Sequence, residues 1–154
     1  MRRSRSGFPF LAVLAICSVW VTPAGADPAY HTGHIAFSAV EEAPLRSGFV
    51  QNIHANGPHV YAHEIYQLSG AEPKTSYDVV LSIWTANTSC SAGPALQIPT
   101  AELTTNPAGN GWADVVFTPA AADGLRGLTV SARWTVWDGT KATYATDCEV
   151  VSLD

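Results

Sequence analysis

The side chains best suited to chemistry are crowded towards one end of the chain. His31, His34, His54, His59 and His63 are all of its histidines. Imidazoles grouped this way suit copper or zinc outside the cell. His31-x-x-His34 reads as a loop pair that could chelate with His54 supplied from a neighbouring strand. His59-x-x-x-His63 falls in a strand, where residues four apart lie about 13 Å apart and cannot share an ion. Glu64 directly follows His63, whereas a zinc-protease pattern needs glutamate immediately after its first histidine. Surface and cross-strand histidines explain the same cluster without a metal. That reading is adopted and no cofactor is expected; Cu/Zn binding through His31, His34 and His54 stands as the alternative.

Hydrolysis would need a nucleophile, a base and an oxyanion site. No Gly-x-Ser-x-Gly elbow occurs. Glu41, Glu42, Glu64 and Asp114 are the carboxylates available for a glycosidase-like cleft, but nothing in their spacing brings them together. Non-catalytic action is therefore expected, with a small hydrolase as the second alternative. Tryptophans offer a different chemistry. Trp134 lies on an apolar strand face and is assigned to the core. Trp137 falls on the opposite face beside a hairpin tip, and Trp112 opens a strand after a glycine-rich turn. An exposed pair, Trp112 with Trp137, would stack on a sugar ring or anchor a protein; the plainer alternative is that both only cover sheet edges.

The amino terminus says where this chemistry would operate. Arg2, Arg3 and Arg5 precede an apolar run from Leu11 to Val21, and Pro23-Ala24-Gly25-Ala26 supplies a small-residue cleavage pattern. Residues 1–26 thus read as a bacterial secretory signal peptide, with the working protein starting at Asp27. The run is shorter than the roughly 20 apolar residues a membrane span needs. Lipidation at Cys17 is disfavoured because Ile16 is too large for the position before a lipidated cysteine. Without Arg2, Arg3 and Arg5, eight basic residues fall to five against 13 acidic ones, a net charge of −8. So acidic a surface, lacking any Lys/Arg cluster, argues against nucleic acid and anionic membranes as partners. An extracellular protein or carbohydrate is the expected partner, bound by a monomer.

Residues 27–154 are read as one domain. Apolar and Thr-rich runs recur at 35–40, 60–68, 77–85, 96–103, 112–117, 128–137 and 142–153, separated by Gly, Pro, Asn and Asp. Seven short strands with such punctuation predict an all-β, antiparallel two-sheet sandwich. Tyr77, Val79, Leu81 and Ile83 alternate with polar residues, as do Val130, Ala132, Trp134 and Val136, so both strands should have one wet face. Asp138-Gly139 is assigned as a type I′ hairpin loop. Pro119 to Asp123 allows at most one helical turn. Asn87-Thr88-Ser89 fits a glycosylation acceptor but, behind a bacterial leader, marks a polar strand end. Cys90 and Cys148, 58 residues apart, are expected to pair in an oxidising compartment.

Leu68, Pro73, Thr75, Tyr77, Val79 and Leu81 follow the order Leu-x4-Pro-x-Thr-x-Tyr-x-Val-x-Leu. This segment resembles the tyrosine corner of fibronectin type III and immunoglobulin-like domains. Secreted bacterial domains of this kind look similar across Leu68-Ser69-Gly70-Ala71, the Thr105–Gly111 turn and Thr146-Asp147-Cys148. The resemblance implies a Greek-key sandwich in which Tyr77 bonds back to upstream backbone at a crossover between sheets. It implies no activity.

Overall fold

A computed structural model describes residues 31–54, 62–85, 89–117 and 128–153. The expected leader at residues 1–26, Asp27, His59, Asn87-Thr88 and Pro119–Asp123 lie outside the described residues.

The described residues form strands β1 (His31–Ala36), β2 (Ser38–Ala39), β3 (Ser47–His54), β4 (Ala62–Ser69), β5 (Ser76–Trp84), β6 (Leu96–Thr104), β7 (Gly111–Phe117), β8 (Leu128–Asp138), β9 (Lys141–Ala145) and β10 (Glu149–Leu153). They make two antiparallel sheets. One has the order β1-β3-β4-β7; the other has the order β2-β9-β8-β5-β6, with β10 also pairing β8. Strand β4 neighbours β7 although the β5–β6 hairpin intervenes in the other sheet, and β5 neighbours β8. These crossovers interlock the sheets in a Greek-key sandwich.

The core is where the two alternating patterns meet. Val50, Tyr66 and Leu68 from the four-stranded sheet face Tyr77, Val79, Val136 and Trp134 from the other. Ile83 and Val130, with Ala62, continue it towards the far end, and Leu81 is partly buried against both groups. The expected disulfide is present: Cys90, after β5, is bonded to Cys148, just before β10, with Cα atoms 5.8 Å apart. Such a bond is compatible with an extracellular location.

Several boundaries differ from the sequence expectations, each for a local reason. The strand expected at 35–40 breaks at buried Phe37, where the chain leaves one sheet for the other. Residues 142–153 form two strands, because Thr146 interrupts the ladder: its amide donates to the Trp134 carbonyl, and its hydroxyl accepts from the Trp134 amide. Strand β3 is not among the seven expected, since Gly48 and Asn52 occupy two of its three buried positions and hide the alternation. At the β8–β9 hairpin Asp138 pairs with Lys141, so the loop is Gly139-Thr140, one residue later than expected. Only Gly139 has positive φ, at 58°. A positive φ at the first loop position alone is the type II′ pattern, not type I′.

Candidate ligand-binding face

Strand β4 runs through the middle of the four-stranded sheet, and its two faces carry two very different polar sites. Ala62, Glu64, Tyr66 and Leu68 point inward, whereas His63, Ile65 and Gln67 point outward. Glu64 is only 1 % exposed. Three neutral donors surround its carboxyl group. Asn52 Nδ2 donates at 2.7 Å, Trp134 Nε1 lies 3.1 and 3.2 Å from the two oxygens, and the Tyr66 hydroxyl donates to Oε2. Burial pushes the Glu64 pKa up, while the bonds from Tyr66, Trp134 and Asn52 pull it back. Burial first, and then the Glu64 charge, drive the Tyr66 hydroxyl well above its ordinary value. Among the described residues Asn52 Oδ1 has no hydrogen-bond partner. This cluster joins the two sheets through their centre, because Trp134 belongs to β8.

The outer face is built in rows by the strand register. Phe49 on β3, Gln67 on β4 and Trp112 on β7 form one row, with Ala36 of β1 beside Phe49. The next row is His34, Gln51, Ile65 and Asp114; the third is Thr32, Ile53, His63 and Val116. Trp112 is 61 % exposed and Val116 54 %. His34 packs its ring on Phe49 with centroids 4.3 Å apart. His63 Nε2 lies 2.7 Å from Asp114 Oδ1 across the β4–β7 ladder.

At the end of the first row the surface dips into an open depression of about 380 Å³, lined by Gln67, Leu68, Thr104, Asn106, Asn110, Gly111 and Trp112. Its rim is fixed by the β6–β7 connection. Asn106 Oδ1 accepts from the amides of Ala108 and Asn110, at 2.9 and 3.1 Å. The Gly109 carbonyl accepts from the Ala71 amide, and Thr105 Oγ1 donates to the Glu72 carbonyl at 2.6 Å. These bonds tie the connection to the β4–β5 crossover. Gly109 has φ of 74°, and an added Cβ would stand 2.1 Å from the Ala71 carbonyl oxygen, so only glycine fits. Tyr77 braces the same crossover. The Glu72 amide donates to its hydroxyl, which lies 3.4 Å from the Tyr144 hydroxyl; Tyr144 in turn donates to the Pro44 carbonyl.

The other candidate residues are dispersed. Trp137 lies on the outside of the other sheet, half-buried, and lines a separate depression of about 290 Å³ with Asp78, Val80, Gln97 and Gly139. Trp112 and Trp137 therefore do not form a pair, because β7 and β8 belong to different sheets. His31 and His34 stand on a strand, not in the loop expected from sequence. His31 pairs in register with His54, and the side chains of both lie outside the described ones. Among the described residues no three His, Cys, Asp or Glu converge on one point. Three of the four carboxylates are also apart: Glu64 faces inward, Asp114 faces outward, and Glu41 pairs with Lys141 at 2.8 Å beside β9. Sequence reading missed the depression, and its one signal was the two asparagines, Asn106 and Asn110, in the Thr105–Gly111 turn. No family model, curated protein or solved structure matches the chain.

Proposed function

We propose that the chain is a secreted bacterial immunoglobulin-like sandwich that acts as a non-catalytic binding module, with its binding surface around Trp112. One observation carries the reading. A tryptophan 61 % exposed stands on a strand paired to β4, at the rim of a depression whose shape is set by backbone hydrogen bonds. An indole left in water gains nothing for the fold and offers a large, flat contact area to a ligand. The leader pattern and the disulfide support an extracytoplasmic site of action. The strand connectivity, with β5, β8 and β9 in one sheet and β3, β4 and β7 in the other, supports the immunoglobulin-like reading.

The test is a screen of small aromatic and saccharide fragments, followed through the indole N–H resonances of Trp84, Trp112, Trp134 and Trp137. Perturbation centred on Trp112 and abolished in Trp112→Ala is expected. Perturbation centred on Trp137, or none at any indole, contradicts the reading.

A further inference from the structure

Resting on that reading of the Trp112 surface, we infer that its ligand is an uncharged glycan, with a pyranose ring stacked on Trp112 and its hydroxyls bonded to Gln67 and Asn110. The lining of the depression selects this chemistry. Leu68 and Trp112 are its only large apolar members among the described residues, and Leu68 is already buried beneath the sheet. The remainder is two carboxamides, a third carboxamide bound into the turn, one hydroxyl and a glycine. The Gln67 and Asn110 side-chain amides and the Trp112 indole N–H make no hydrogen bond among the described residues. Each carboxamide presents a donor and an acceptor side by side. A sugar hydroxyl needs the same pair, and the C–H face of a pyranose ring needs an aromatic plane.

Charge excludes other classes. Among the described residues, no Lys, Arg, Asp or Glu lines the depression. On the same face, His63 and Asp114 are engaged with each other at 2.7 Å. A phosphorylated, sulfated or uronic-acid ligand would find no cation among these lining side chains, and a basic peptide would find no anion among them. A protein hot spot would need a desolvated apolar centre, whereas amides surround this indole. The site is also preorganised, since the Asn106 turn fixes the backbone of Asn110 and the β4–β7 ladder fixes Gln67 opposite Trp112. Little ordering entropy is then lost on binding. Beyond Gln67 the row continues to Phe49, two strand spacings or about 10 Å from Trp112. A second ring plane at that distance suits an extended oligosaccharide laid across the strands.

Calorimetric titration of the purified protein with cellohexaose, maltohexaose, mannohexaose and chitohexaose tests the inference, with hexagalacturonate as the charged control. Saturable binding of at least one neutral hexasaccharide is expected. It should weaken tenfold or more in Trp112→Ala and in Gln67→Ala/Asn110→Ala, persist in Trp137→Ala, and be absent for hexagalacturonate. No neutral binding, binding insensitive to Trp112→Ala, or preference for hexagalacturonate overturns it. Aromatic fragments that still perturb Trp112 when every hexasaccharide fails would remove the glycan and leave the binding surface. Failure of both would remove the two together.

Discussion

Glu64 and Gln67 stand three residues apart on the same strand and face opposite ways, one into the sandwich and one out of it. Both are polar, yet their surroundings are opposite. Glu64 receives three donors and is closed to solvent. Gln67 is exposed beside an exposed indole. A buried carboxyl group has to be fully bonded to be tolerated, so its hydrogen bonds are already used and it serves the fold. An exposed amide in a fixed depression is free to serve a ligand. The difference separates polarity used by the fold from polarity left open to a ligand within one strand.

The contrast yields effects of graded size. Glu64→Ala would leave the Asn52, Tyr66 and Trp134 donors facing a cavity and should cost about 3–5 kcal/mol, measured by urea unfolding. A loss below about 1 kcal/mol would mean that the inner site is no more structural than the outer one. Gly109→Ala touches both regions, because it forces a side chain into the Ala71 carbonyl at positive φ. It should cost about 2 kcal/mol or more and also distort the depression. Wild-type stability with intact ligand binding would show that the turn does not shape the site.

Glu64 also predicts a pH dependence. Its folded pKa is raised above the ordinary value of 4.5. The folded state then holds a proton that the unfolded state has released. This contribution to stability is complete below about pH 4.5 and is lost as pH rises towards the folded pKa, with a slope of up to about 1.4 kcal/mol per pH unit. Glu64→Gln should flatten that slope, as read from unfolding midpoints between pH 4 and 8; an unchanged slope would assign it to other groups. The smallest effect on stability belongs to Trp112→Ala, expected within about 0.5 kcal/mol of wild type because the side chain covers no core. A larger loss would make Trp112 a structural residue.

The sandwich was legible because β5 and β8 alternate strictly, and alternation is what a half-buried strand demands. Cys90 and Cys148 were legible as a pair, having no other cysteine beyond Cys17 to choose. Strand β3 was not, since its inward positions carry Gly48 and Asn52 while Phe49 and Ile53 face outward. Asn52 is inside only because Glu64, on the next strand, accepts its amide; two polar residues explain each other, and neither does so alone in sequence. The separation of Trp112 from Trp137 was hidden for a similar reason. Both end near turns, but which sheet each turn serves depends on pairing between strands far apart in the chain. The amides of the depression come from β4 and from the β6–β7 connection, so no local motif could have joined them.

The most direct measurement is a pair of indole N–H signals in one titration with the bound hexasaccharide. Trp134, whose N–H is held by Glu64, should exchange slowly with solvent and keep its position throughout. Trp112 should exchange rapidly in the free protein and shift with saturation. A Trp112 signal that never moves, or a shift that falls on Trp134 or Trp137 instead, would contradict the assignment of the outer face of β4 and β7 as the binding site.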